Sequence, residues 1–144
     1  MKVGSIFIWK KFNQQADEKI KNRYFIYFGR SPAFINPIYV YIGTTTSKIE
    51  YYTNGGRFAN NNIVWFNKDE CSFTKDCVLD LDRNYLKVES SNIIGKTIID
   101  VIPEVKLRKI YEKILNSYSI SIENKNNIHD SFNRDNITGL KNPK

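Results

Sequence analysis

The sequence is poor in the residues on which most hydrolytic enzymes depend. Its 144 residues include one histidine, His129, and two cysteines, Cys71 and Cys77. Because the histidine lies in a polar C-terminal stretch, a Ser-His-Asp hydrolase and a nuclease with two catalytic histidines are excluded. Two cysteines and a distant histidine also cannot supply the four ligands of a structural zinc site. We interpret all three residues as ordinary side chains of a reduced protein.

Motifs for nucleotide and metal binding are absent as well. The sequence has no Gly-Lys-Ser/Thr phosphate loop and no Gly-x-Gly-x-x-Gly dinucleotide motif. The nearest acidic pairs, Asp80 with Asp82 and Asp69 with Glu70, lie in turn-rich segments without a third carboxylate at a recognisable metal-ligand spacing. We therefore expect neither a metal nor a cofactor.

Long hydrophobic runs are missing too. No segment approaches the roughly 18 consecutive apolar residues that a transmembrane helix needs. The N-terminal stretch MKVGSIFIWKKF contains only a short apolar run and no small-residue cleavage site. We expect a soluble, cytoplasmic protein without a membrane partner.

What the sequence does contain is positive charge. It has 22 Lys and Arg against 15 Asp and Glu, a net charge of +7, which favours a polyanion as partner. Arginine, lysine and hydroxyl side chains are suited to holding phosphate and stabilising negative charge. RNA carries its own nucleophile, the 2′-hydroxyl, so these residue types can cleave it without a metal or a histidine.

The first half of the chain predicts a small β-structure. Four short runs rich in β-branched and aromatic residues are separated by turn formers, namely Val3 to Trp9, Tyr24 to Phe28, Pro37 to Ile42 and Ile63 to Phe66. A further strand, a turn at Asp82 to Asn84 and an edge strand follow from residue 78 to residue 88. The charged segment between the first two runs, residues 11 to 23, is interpreted as a long loop.

One helix is predicted near the C-terminus. Six apolar residues recur at helical spacing along one face, namely Leu107, Ile110, Tyr111, Ile114, Leu115 and Tyr118. Pro103 suits the first turn, and Glu104 suits the positive end of the helix dipole. We therefore predict a helix that packs on the sheet.

The remaining residues divide the chain into two parts. Residues 1 to 120 form the predicted barrel and helix, and residues 121 to 144 read as a polar tail rich in Ser, Asn and Lys. Ile120, Ile122, Ile128 and Phe132 are its sparse apolar anchors. We expect at most one short element there, with a frayed end.

The order of these elements resembles the PemK/MazF family of toxin endoribonucleases. Gly4-Ser5-Ile6 stands where that family has Gly-Asp-Ile, and Arg23-Tyr24 where it has Arg-Pro. Thr45-Thr46-Ser47-Lys48 stands at the Thr-Thr/Ser position, and Gly95-Lys96-Thr97-Ile98 at the Gly-x-Leu-Ser position. The resemblance covers residues 3 to 118. It implies a small SH3-like β-barrel with a C-terminal helix packed on the sheet.

The resemblance also implies a site. In the family, the arginine that starts the second strand and the Thr or Ser that ends the third face each other at the scissile phosphate. These correspond to Arg23 and Thr46, with Thr45 as the alternative by register. Further RNA contacts are predicted for side chains near this site, namely Lys21, Tyr24, Arg30, Ser47, Lys48 and Arg57.

The predicted function is a metal-independent endoribonuclease toxin that cleaves single-stranded RNA, forms a homodimer and is inhibited by an antitoxin. Tyr24 departs from the family proline, and the charged loop is longer than the family's Gly-rich one. These departures favour a second hypothesis, an inactive barrel of the same type that binds nucleic acid or a protein target, as in inhibition of host defence. A third is an unrelated interaction domain in which Arg23 pairs with a surface carboxylate and the threonines are ordinary strand residues.

Overall fold

The computed structural model describes residues 1–12 and 21–143. This part of the chain contains seven strands and two α-helices: β1 (Ser5–Phe12), β2 (Lys21–Arg30), β3 (Tyr39–Thr46), β4 (Ile63–Phe66), β5 (Cys77–Asp80), β6 (Tyr85–Glu89), β7 (Ile98–Val101), α1 (Glu104–Asn116) and α2 (Ile122–Arg134). Short 3-10 helices lie at Ile49–Tyr51, Glu70–Ser72 and Ser90–Asn92. Neither α-helix is long and apolar enough to cross a membrane.

The predicted strands are confirmed, but β1 continues to Phe12 and β2 begins at Lys21, so the loop predicted for residues 11 to 23 was too long at both ends. β4 has the predicted bounds, and the strand, turn and strand predicted after residue 77 are β5 and β6. β7 was not predicted. It is short and pairs with the first strand.

The strands form a curled antiparallel sheet, so the protein is mainly β with two helices. The order across the sheet is β4-β5-β3-β2-β1-β7, and β6 also pairs with β3. β3 therefore shares its outer edge between two strands, with Tyr39 to Gly43 on β6 and Thr45 and Thr46 on β5. This arrangement bends the sheet into a half-barrel.

Both faces of the central strands are buried. Successive residues of β2, from Phe25 to Phe28, are at most 6% exposed although their side chains alternate between the two faces. Ile6 and Phe7 of β1 behave in the same way. The continuous apolar runs in the sequence therefore reflect a sheet that is covered on both sides.

α1 confirms the predicted helix and most of its buried face. Leu107, Ile110, Tyr111 and Ile114 are buried, and the Glu104 carboxylate pairs with Arg108 one turn later. Tyr118, predicted on the same face, is 99% exposed. The reason is that the helix ends at Asn116, before the periodicity reaches that residue.

The polar tail contains a second helix as long as α1. α2 has thirteen residues and begins after Ser121, whose Oγ accepts a hydrogen bond from the Asn124 N–H. Ile128 and Phe132, four residues apart, are fully buried. Two anchors on one face therefore hold a helix whose average composition is polar.

α2 is docked on β2 through a glycine. At Gly29 a Cβ atom would lie 2.4 Å from Ser131 Oγ, and the backbone there has φ +141°. The Ser131 hydroxyl accepts a hydrogen bond from the Arg30 N–H at 3.0 Å and donates one to the Asn127 carbonyl at 2.9 Å. The glycine in the β-bulge at this end of β2 thus allows the backbone of α2 to approach the strand closely.

Candidate nucleic-acid interface

The threonine row at the end of β3 marks the point where that strand changes partner. The ladder with β2 ends at the pair Phe25 and Thr44, and the next two residues of β3, Thr45 and Thr46, pair with β5. β-Branched residues suit a strand that must bend between two neighbours. The threonine row therefore has a structural role, which is to continue β3 from its pairing with β2 to its pairing with β5.

Alternation along β3 gives the three threonines different surroundings. The buried Thr44 hydroxyl donates to the Tyr24 carbonyl at 2.8 Å. Burial raises the pKa of the Cys77 thiol to about 11, and the nearby Thr45 opposes the rise. Thr46 Oγ1 accepts the Lys48 N–H at 3.2 Å, so its own proton remains available as a donor. Thr44 is thus engaged with the protein interior, whereas Thr45 and Thr46 are half-buried.

Arg23 lies two residues before Phe25, the first residue of β2 that pairs with β3. The same register, extended by two residues, would bring Arg23 opposite Thr46, but Thr45 and Thr46 pair with β5 instead. On its other side, Arg23 pairs with Trp9 of β1.

The Arg23 side chain is half-buried and makes no ion pair or hydrogen bond with the residues that the structure describes. Within residues 1–12 and 21–143, no carboxylate neutralises it. A second cation lies nearby, because the Lys96 ammonium sits 4.8 Å from the centre of the Trp9 ring. Arg23 and Lys96 thus both adjoin the indole of Trp9.

The loop after β3 and the turn after β5 meet in an arginine–aromatic cluster, which consists of Tyr51, Tyr52, Arg57, Phe58 and Arg83. The Arg83 guanidinium lies 3.8 Å from the centre of the Phe58 ring, and that of Arg57 lies 5.1 Å from it. Both tyrosine rings pack within 5.8 Å of the same phenyl ring. Exposed arginines on an aromatic base form a surface on which phosphates and bases can be bound.

The Asp80 carboxylate holds the two chain segments of the arginine–aromatic cluster together. Its carboxylate is fully buried and accepts hydrogen bonds from Tyr52 Oη at 2.6 Å, Asn61 Nδ2 at 2.9 Å and the N–H groups of Asp82 and Arg83. Burial, together with the hydrogen bond to Asp80, raises the pKa of Tyr52, so its hydroxyl remains a donor. One carboxylate therefore holds the loop before β4 and the turn after β5 in a fixed relation.

The residues predicted to contact RNA differ in their exposure and position. Ser47 and Lys48 are exposed at the end of β3, and Arg57 belongs to the arginine–aromatic cluster. Tyr24 instead packs edge-on against Phe73 with its ring centre 5.8 Å away, as a half-buried core residue. The side chain of Lys21 and loop residues 13–20 lie outside the described residues.

Arg30 is separated from the others. It lies seven residues from Arg23 along β2, a distance of about 23 Å at the usual rise of a strand. Its N–H is bound to α2 through Ser131. Thr46, Ser47 and Lys48 therefore lie at the end of β3, whereas Arg30 pairs with Val40 near its start. Arg57 belongs to the separate arginine–aromatic cluster.

Sequence reasoning missed three residues of this surface: Arg83, Phe58 and Lys96. Arg83 follows a predicted strand in a turn, a position typical of solvated charges. Its ring partner is 25 residues earlier in the chain. Nothing local in the sequence signals such a contact, although the abundance of aromatic residues near arginines gave a weak hint.

The acidic pairs do not combine into a metal centre. The Asp82 carboxylate accepts the Asn62 N–H at 2.8 Å, and that of Asp80 is filled by its four donors. Within residues 1–12 and 21–143, no three potential metal-ligating side chains lie close together. The chemistry available at this end of the sheet is that of guanidinium, ammonium and hydroxyl groups.

No protein-family model matches the sequence, and no curated protein matches it significantly. The functional argument therefore rests on the positions and chemistry of these side chains.

Proposed function

We propose that this protein is a metal-independent endoribonuclease that cleaves single-stranded RNA where β2 begins and β3 ends. Under this proposal, the curled sheet and the C-terminal helices form an SH3-like barrel of the PemK/MazF toxin type. Under it, Arg23 and Thr46 are the catalytic residues. The observation that carries the proposal is the half-buried Arg23 side chain, which has no carboxylate partner among the described residues and lies on the strand next to the threonine row of β3.

The chemistry requires little beyond positioning and charge. The RNA 2′-oxygen attacks the adjacent phosphorus, the bond from phosphorus to the 5′-oxygen breaks, and the products carry a 2′,3′-cyclic phosphate and a 5′-hydroxyl. The 2′-hydroxyl proton passes to solvent. Arg23 stabilises the charge on the non-bridging oxygens, and the Thr46 hydroxyl donates a second hydrogen bond. Arg23 or water supplies the proton to the leaving 5′-oxygen.

The flanking residues support binding of a strand that extends past the cleavage point. The arginine–aromatic cluster lies on the β5 side of β3, where the turn after β5 is bonded to Thr44, and Lys96 with Trp9 lies beside Arg23 on the β1 side. A single strand can contact both groups, with phosphates on the cations and bases on exposed rings. Ser47 and Lys48 lie between them along the chain.

Two partners follow from the same proposal. A toxin of this type acts in the cytoplasm as a homodimer and is held inactive by an antitoxin protein. The positive charge of the chain, +7, suits both an RNA and an inhibitory partner with acidic residues.

A second function, RNA binding without cleavage, is favoured by one feature. Backbone pairing of β2 with β3 stops at Phe25 and Thr44, so no ladder bond spans Arg23 and Thr46. A site that is less tightly held aligns the 2′-hydroxyl less well, and misplacement of about 1 Å lowers rates by roughly 10²-fold.

The deciding experiment is incubation of the purified protein with a long single-stranded RNA in EDTA, followed by analysis of the product ends. We expect cleavage with 2′,3′-cyclic phosphate ends, lost in Arg23→Ala and in Thr46→Ala. Two exposed controls, Lys109→Ala on α1 and Thr97→Ala, remove the same charge and the same hydroxyl elsewhere. They should cleave as the wild type does.

Two outcomes would contradict the proposal. Intact RNA with a measurable affinity that falls in Arg23→Ala would favour the binding module. Cleavage that survives both substitutions, or that yields a 5′-phosphate, would exclude the proposed site.

A further inference from the structure

A separate cavity opens at the other end of β2, and we call it the Tyr27 cavity. Its volume is about 360 Å³, and it lies between β2, β3 and the segment that joins β6 to β7. Its walls are mainly aliphatic, formed by Ile38, Val40, Ile93, Ile94 and Ile98. Val40 and Ile93 are buried, whereas Ile94 is 79% exposed at the mouth. The space is therefore apolar in depth and open to solvent.

The polar groups in its lining share one character, because all of them can donate hydrogen bonds. They are the Tyr27 hydroxyl, the Ser90 hydroxyl, the Arg30 guanidinium and the Lys96 ammonium. No aspartate or glutamate is found among the lining residues that the structure describes. The neighbouring carboxylate, Asp135, already accepts the Val3 N–H at 2.7 Å. Two cations thus lie at the rim of an apolar space.

Tyr27 is the most informative of these residues. It is 6% exposed, yet its hydroxyl makes no hydrogen bond to the residues that the structure describes. Burial raises the pKa of Tyr27, against the opposing effect of Arg30, so the hydroxyl is a proton donor at neutral pH. The hydroxyl is therefore available to an acceptor supplied from outside.

Arg30 has donors to spare in the same place. Its Nη1 donates to the Ser31 carbonyl at 3.1 Å, and it forms no ion pair with the described residues. A guanidinium has five N–H donors in a planar fork that suits a carboxylate. The hydroxyl and the fork together favour an anionic head group, and the aliphatic walls favour an apolar body.

We propose that the Tyr27 cavity binds a small amphipathic carboxylate, with its carboxylate at Tyr27 and Arg30 and its hydrocarbon part against the aliphatic walls. The volume is at the lower end of the range for ligand pockets, which fits a chain of about eight carbons. Lys96 provides a second positive charge at the mouth. This site shares Lys96 with the proposed RNA surface, but it does not depend on nuclease activity.

The test is titration of the full chain with octanoate, followed by calorimetry and by amide shifts in NMR. We expect saturable binding with a Kd below about 1 mM, with the shifts concentrated around Tyr27, Ile93 and Lys96. Octyltrimethylammonium and 1-octanol carry the same chain with a cationic or neutral head. They should bind at least about tenfold more weakly, since a hydrogen bond to a charged group is worth roughly that factor or more.

Variants measure separately how much the residues at the carboxylate and the residues of the aliphatic walls contribute to octanoate binding. Arg30→Gln and Tyr27→Phe should each weaken octanoate binding by about fivefold or more, and the second keeps the buried ring in place. Ile98→Trp, at a partly exposed position of the wall, should block the cavity. Lys75→Gln is the charge-matched control on a distant exposed loop.

The proposal fails if octanoate does not saturate, if the ammonium analogue binds equally well, or if Arg30→Gln and Tyr27→Phe bind octanoate as the wild type does while remaining folded.

Discussion

The two ends of β2 each carry an arginine, and the surroundings differ. At one end, Arg30 lies on a β-bulge against α2, and its N–H is bound to Ser131. At the other, Arg23 lies beyond the last pair of the β2–β3 ladder. Neither guanidinium has an ion pair among the described residues, so the difference is in the backbone, which α2 holds at Arg30 and which β3 has left at Arg23.

The largest expected effect tests whether Arg23 and Thr46 act on one phosphate. Arg23→Ala and Thr46→Ala should each lower the single-turnover cleavage rate by about 10²- to 10³-fold. Residues that act as a unit are not additive, so the double variant should lose little more than the worse single variant. Quenched cleavage assays on a short fluorescent RNA would measure the three rates. Fully multiplicative losses would show that the two side chains act separately.

The next effect concerns the Arg30 end. Gly29→Ala should lower the free energy of unfolding by about 2 to 3 kcal/mol, because a Cβ would collide with Ser131 in a backbone conformation that favours glycine. Gly55→Ala is the matched control. Gly55 also has positive φ, +81°, but open space around it, so it should cost about 1 kcal/mol. Urea unfolding of both variants gives the comparison, and equal losses would contradict a tight contact with α2.

A smaller effect is expected at the arginine–aromatic cluster. Arg57→Gln with Arg83→Gln should reduce RNA affinity about tenfold and lower the slope of log K against log salt by about 1.4, as two phosphate contacts on a single strand require. Lys75→Gln with Lys109→Gln removes the same charge from exposed positions elsewhere. Fluorescence anisotropy at several salt concentrations would measure both doubles. Identical slopes would mean that only net charge matters.

The smallest effect returns to α2. Ser131→Ala should cost about 1 kcal/mol of stability, since the Arg30 N–H loses its acceptor. The exposed Ser91→Ala should be close to neutral. Thermal and urea unfolding would detect the difference. A Ser131→Ala variant as stable as the wild type would mean that apolar packing at Ile128 and Phe132 alone holds the helix.

The strands and α1 were predictable because their signals are local. β4 is bounded by asparagines and by a turn, so its limits could be read directly from residues 63 to 66. The length of α2 could not be predicted, because its anchors are two residues in a polar segment and its closest contact is a glycine about one hundred positions earlier. Average composition does not report such a contact.

The candidate site was predictable only in part, for a similar reason. The hydroxyl row and Arg23 were visible as residues, but the choice between Thr45 and Thr46 depends on where β3 leaves β2 for β5. A shift of one residue would exchange their faces. Arg83 and Lys96 join the surface through rings that are distant in sequence, Phe58 and Trp9.

The shared edge of β3 also has a consequence for synthesis of the protein. β5 and β6 are formed by residues 77 to 89, which leave the ribosome well after Thr46. At roughly 5–20 residues per second, the nascent chain exposes that bare edge for about 2 to 9 seconds. Unpaired edges are templates for association with other chains. A chaperone that covers extended segments during this interval would therefore raise the yield of folded protein more than one that acts after release.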